Sequence, residues 1–269
     1  MLTVILTALF GAGVALGLYF GAVFGYGWSI FFGVVAFGVA NALVGWFIQK
    51  KVKARMSEVQ NILMAGQKQI QAKVARWQMR PPGSMQAAQA EIARDQKVFV
   101  KEALELTEPL HKFDNWVPMM KRQIATAQFQ LYWMIKDFKK VDELMPKAMF
   151  LDPTMSAMKL ARMYMLEKPV EEMEKIYAKA VRRLRYNQNV LLAATWSWIL
   201  LKRGDVDGSF KALNAALEKS DNETLKANRG HLANNRVAHF SNTAIGEQWF
   251  ALLLEEPKMH QPRQRMQWR

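Results

Sequence analysis

The chain has no cysteine among its 269 residues, which excludes disulfides, thiolate metal sites and cysteine nucleophiles. It is also short of acid: 23 Asp and Glu stand against 37 Lys and Arg, a formal charge of +14. Asp, Glu, Lys and Arg are all missing from residues 1–24, and residues 28–48 carry only Asn41 as a strongly polar side chain. Each run is long enough to cross a hydrocarbon core as a helix, and only GYG separates them. Such a pair reads as a transmembrane helical hairpin. A cleavable leader would open on a basic segment, which the first run lacks, and a second span follows at once.

From the first run into the GYG turn, glycine recurs at 13, 17, 21 and 25. Inside a bilayer small residues four apart let helix backbones approach closely. Gly13, Gly17 and Gly21 are therefore expected to form a packing face, with Gly33, Asn41 and Gly45 of the second run as counterparts. Tyr26, Trp28 and Trp46 fall where interfacial aromatic belts are expected. The flank KKVKAR supplies Lys50, Lys51, Lys53 and Arg55, a pattern that places this end on the cytoplasmic side and suits anionic lipid. The expected location is a bacterial cytoplasmic membrane, with both termini cytoplasmic.

Residues 49–79 keep apolar positions at helical spacing, so the second span is expected to run on into a basic helix. RPPGS at 80–84 breaks it. Everything after that linker shows apolar recurrence every three or four positions, and none of it shows sustained strand alternation. The expected organisation is a hairpin at 1–49, a basic helix and linker at 50–84, a helical domain at 85–256, and a basic, Gln-rich tail at 257–269.

Three windows from 122, 154 and 190 place small and large residues alike: Ala125, Gln128, Phe129 and Tyr132, then Ala157, Leu160, Ala161 and Tyr164, then Ala193, Trp196, Ser197 and Leu200. Second-helix positions follow at Val141, Met145 and Ala148, at Met173, Tyr177 and Ala180, and at Ser209, Leu213 and Ala216, with Pro153 closing the first window. This pattern resembles the tetratricopeptide family in degenerate form, without that family's tryptophan and with Phe129 at a small position. The resemblance implies an all-α solenoid of stacked helix pairs, a capping pair near 224–236 and 242–254, and a further imperfect pair at 85–108 and 115–120. It also implies protein binding on the inner wall, which would hold Gln130, Trp133, Met155, Met158, Arg162, Met165, Trp198, Leu201 and Lys202. Methionine there would suit adaptable contact with a partner; the same stripe at helical spacing equally fits a core.

No set of nucleophile, base and oxyanion donors is present, and no phosphate-binding loop. The four histidines, at 111, 231, 239 and 260, lack metal-pair spacing. Glu171, Glu172 and Glu174, and likewise Glu255 and Glu256, read as solvated helix ends. No catalytic residue, cofactor or metal is expected. The residues point to a membrane-anchored scaffold that binds protein partners. The alternatives are a homo-oligomer packed through the glycine face and a membrane-tethered nucleic-acid binder, the latter resting on charge without a motif.

Overall fold

The computed structural model describes residues 2–79, 84–116 and 119–256. Helix makes up 78% of it and no strand occurs among the described residues, so the chain is all-α. It divides into two compact units, Met1–Met149 and Phe150–Arg269. That division falls inside the expected 85–256 domain. The basic linker residues 80–83 and the tail from 257 lie outside the described residues.

In the first unit, α1 (Leu2–Phe20) folds back along the first half of α2 (Tyr26–Met79). No proline interrupts α2, so the apolar run and the basic run form one 54-residue helix, about 80 Å long at 1.5 Å per residue. The antiparallel α3 (Met85–Thr107) starts on Ser84, whose hydroxyl accepts from Ala87 N at 3.1 Å. It returns along the second half of α2. Gly66 makes this approach possible, since a Cβ there would lie 2.5 Å from the Phe99 ring. Lys73 bridges Glu91 at 2.8 Å and also Asp95, and these hydrogen bonds, that to Asp95 foremost, hold its ammonium above the ordinary pKa. Val59, Val100, Ala103 and Leu131 are buried between α2, α3 and α4 (Met120–Met134). This packing explains why the basic helix belongs with α3 and α4 and does not form a separate linker region. Where a helix is expected at 115–120, residues 115, 116 and 119 form turns and 117–118 lie outside the described residues; a 3-10 turn spans Glu108–Phe113, and α3 pairs with α2.

Three helix pairs follow one another: α4 with α5 (Phe138–Leu144), α6 (Pro153–Met165) with α7 (Val170–Val181), and α8 (Val190–Lys202) with α9 (Val206–Leu217). Asp137, Asp152 and Asp205 cap α5, α6 and α9 through their carboxylates. The first helix of each pair stops in the same way. Lys136, Glu167 and Gly204 adopt left-handed backbones, and Asn235 does so after α10 (Glu223–Ala233), at spacings of 31, 37 and 31 residues. The next amide in each case reaches back across the last turn: Asp137 N to Tyr132 O at 3.0 Å, Lys168 N to Met163 O at 3.0 Å, Asp205 N to Leu200 O at 2.9 Å and Arg236 N to His231 O at 2.7 Å. This is a Schellman stop repeated four times, and it gives the chain a helical-repeat-like order.

The second unit packs α6 on α8, α8 on α9 and α9 on α10. Ala157, Leu160, Ala161, Ala193, Leu213 and Ala216 are all buried there. The expected second helix of the capping pair is replaced by 3-10 turns at Val237–His239 and Thr243–Ile245 and a single helical turn, α11 (Glu247–Phe250).

Candidate functional site

Two features of this fold carry the questions raised by the sequence: an apolar helix pair and a set of repeats with a candidate inner wall. α1 and the front of α2 are each long and apolar enough to cross a membrane, and only 17% and 6% of their most apolar windows are buried. Leu9, Phe20, Val34 and Leu43 stand exposed along them. The face joining the two helices is not the conspicuous glycine stripe. It is built on Gly11 and Gly33: a Cβ at Gly11 would lie 2.7 Å from Gly33 O and from Phe37 Cβ, and one at Gly33 would lie 2.6 Å from Ala15 Cβ. Gly13, Gly17 and Gly45 meet nothing within 4 Å, and Gly21 meets mainly the carbonyl of Gly17 in its own turn. Residue 13 lies about 200° around the helix from residue 11, which turns the stripe away from α2. Asn41 is half-buried, and its side chain makes no hydrogen bond among the described residues.

At the end of the apolar stretch Lys50 lies 5.3 Å from the Trp46 ring centre and Lys51 4.6 Å from that of Phe47. Each cation thus folds back over an aromatic ring of the preceding turn. Arg55 pairs with Glu58 at 2.6 Å on the surface. Lys53 is exposed beside them. Just beyond, Ile48 and Val52 are buried against Leu110, Met120 and Ile124.

Of the nine residues expected on the inner wall, four are core. Trp133, Met155, Met158 and Trp198 are buried, Arg162, Met165 and Leu201 are half-buried, and only Gln130 and Lys202 are exposed. In the second unit the physical reason is visible. Every residue from Leu191 to Leu200 is buried, because the chain's own segment after α10 lies over α8. Glu255 fastens that segment by accepting from both Trp198 Nε1 at 2.7 Å and Trp249 Nε1 at 2.8 Å. The two indoles meet edge to face at 5.9 Å, and Tyr164 packs on Trp198 at 5.2 Å. Asn242, fully buried, donates to Ala194 O at 3.0 Å and accepts from Asn228 Nδ2 at 2.8 Å. Glu255 is therefore no solvated helix end, and the sequence signal for it was slight: a carboxylate within six residues of a tryptophan.

A different surface of the second unit is open. A cleft of about 520 Å³ lies among α7, α8 and α9, lined by Tyr177, Ala178, Val181, Trp196, Ala212 and Ala215, with Asn189 among its other walls. Tyr177 stacks on Trp196 at 5.4 Å, and burial pushes its phenol up to about 12. Asn189 donates to Ala216 O at 3.0 Å, but its buried Oδ1 accepts from nothing among the described residues. Glu174 and Lys211 stand exposed on the walls. His231 and His239, eight residues apart in sequence, stack at 5.5 Å, and no group of three or more potential metal ligands occurs among the described residues.

No family model matches this chain, and neither a curated protein nor a solved structure is significantly similar to it.

Proposed function

We propose that the protein is a non-catalytic, membrane-anchored scaffold. In this reading α1 and the first half of α2 cross the bilayer as a hairpin and hold a tetratricopeptide-like array of helix pairs at the cytoplasmic face. The observation that carries it is the apolar side-chain surface that α1 and α2 leave uncovered, next to an abrupt change to lysine at Lys50. At 1.5 Å per residue the 19 residues of α1 measure about 28 Å, close to the thickness of a hydrocarbon core. Lys50, Lys51, Lys53 and Arg55 then lie at the phosphate level on the cytoplasmic side.

Protein partners would be taken by the cleft of α7, α8 and α9, since the face the family uses is filled in the second unit. The cleft's small apolar walls suit a partner's apolar side chain, and Asn189 Oδ1 would accept a donor from it. Affinity capture from solubilised membranes tests this with Ala178→Arg and Ala215→Arg, both at exposed positions. A co-purifying protein lost from both variants supports the reading; a partner list identical to the parent's overturns it.

Homo-oligomerisation is a second reading, favoured by the half-buried Asn41 without a partner and by Gly38 and Gly45 on the same side of α2 with open space before them. Crosslinking in native membranes separates the two readings: discrete homo-oligomers lost on Gly45→Leu favour assembly, and a monomer rules it out.

A further inference from the structure

The segment joining α3 to α4 does something no repeat pattern requires: it holds the first turn of α1. Leu2 N donates to Asn115 O at 2.7 Å, and the Thr3 hydroxyl donates to the carbonyl of Trp116. The first amides of a helix have no partner within it, and in a bilayer an unpaired amide is costly. Asn115 and Trp116 supply part of that need from another part of the chain. The same segment is pinned to α2, where Leu110, Met120 and Ile124 bury Ile48 and Val52. Both attachments fall at one level. With Gly11 facing Gly33 and Phe37, the antiparallel register sets Thr3 opposite about residue 44, within a turn or so of Ile48.

If α1 spans the bilayer with little length to spare, Leu2 and Thr3 sit at the hydrocarbon boundary, and so does whatever is bonded to them. The side chains presented there are unusual for a water-facing loop. Trp116 is 36% exposed and Met119 57% exposed. Met119 also holds a left-handed backbone, φ 66°, at the start of α4. Around them Lys112, Lys121 and Arg122 are exposed, while Asp114 is turned back to His111 at 3.1 Å. A tryptophan and a long apolar side chain with cations beside them is the composition of an interfacial anchor.

We propose that this segment is a third point of attachment to the membrane, resting on the reading of α1 and α2 as spans. Trp116 and Met119 enter the boundary between headgroups and acyl chains of the same bilayer, and Lys112, Lys121 and Arg122 take anionic phospholipid phosphates. The helix pair α2–α3 is thereby held at a fixed angle to the membrane and does not swivel on α2 alone.

The natural absence of cysteine makes the test direct. Single cysteines at Val39, Gln71, Trp116 and Met119 are labelled with an environment-sensitive fluorophore in the full chain, in nanodiscs of phosphatidylglycerol and phosphatidylcholine carrying a nitroxide lipid quencher. Val39 lies inside the apolar run, and Gln71 stands about 35 Å past Ile48 along α2. Quenching at 116 and 119 at least about fivefold above that at 71, with 39 quenched most, supports the anchor. Quenching at 116 and 119 no greater than at 71, with 39 still quenched, overturns it and leaves the spans intact. No quenching at 39 removes the membrane reading itself and the anchor with it. Discs of phosphatidylcholine alone should give weaker quenching at 119; equal quenching in both would overturn the part assigned to the three cations.

Discussion

Replacing Glu255 with leucine would release two indole N–H groups at once. Trp249 is fully buried and Trp198 nearly so, whereas Glu255 itself is half-buried. A hydrogen bond to a charged group contributes about 1.5–3 kcal/mol, and a buried donor left unpaired costs about 1–3 kcal/mol. The bond to Trp249 belongs near the top of that range; the one to Trp198 is discounted toward 1 kcal/mol for the partial exposure of the carboxylate. The sum is roughly 3–4 kcal/mol. For a unit of about a hundred residues that corresponds to a melting temperature lower by roughly 10–20 °C. Glu255→Gln keeps one carbonyl acceptor and sets its amide against the other indole, so it should lose about half as much. Near-ultraviolet circular dichroism of the full chain in micelles follows the packed Trp198–Trp249 pair during melting. A Glu255→Leu chain melting within about 2 °C of the parent would refute the double clamp.

Gly33→Leu should lower the stability of the α1–α2 packing by about 1–3 kcal/mol in a sodium dodecyl sulfate titration, since Ala15 and the Gly11 carbonyl stand in the way, while Gly17→Leu should not; the opposite order would sink the assigned face. Lys136→Gly and Glu167→Gly should each raise thermal stability by about 1 kcal/mol, because both non-glycine residues hold left-handed backbones that Gly204 holds freely; a loss of stability in both would count against the repeated stop. Tyr177→Phe should leave neutral-pH stability nearly unchanged and remove an alkaline loss. With the folded pKa up to about 12 against 10.0 unfolded, the folded state keeps a proton the unfolded state gives up, so parent stability falls between pH 10 and 12, by roughly 2–3 kcal/mol in full. A parent and variant with matching alkaline unfolding curves would contradict the burial assigned to the phenol.

The two long apolar helices and the helix pairs were legible for a simple reason: both depend on local pattern. An uncharged run of apolar residues and a recurrence of Ala157, Leu160 and Ala161 at helical spacing are written in consecutive residues. The face each helix presents is not local. The eye-catching Gly13–Gly17–Gly21 stripe is regular, yet the close approach uses two isolated glycines, 11 and 33, whose importance depends on the register of two helices. The left-handed stops at Lys136 and Glu167 carry no glycine to announce them. Most of all, the spacing of the methionines and tryptophans expected on an inner wall fits a groove and a core alike. For Trp198 the deciding contact is a carboxylate 57 residues away.

That distant contact also bears on the proposed scaffold role. A peptide seeking the α8 face would have to replace both bonds to Glu255 and the Asn242–Ala194 bond, and expose Trp249. Uncovering the 150–250 Å² that a buried aromatic typically hides costs roughly 4 kcal/mol or more by itself, at about 25 cal/mol per Å². A modest ligand does not meet such a cost, whereas the cleft beside Tyr177 asks for no displacement and offers an unpaired acceptor. Substitutions on the two surfaces should therefore part company: Trp198→Ala should act through unfolding, lowering the melting temperature together with any binding, while Ala215→Arg should abolish capture of a partner at unchanged stability.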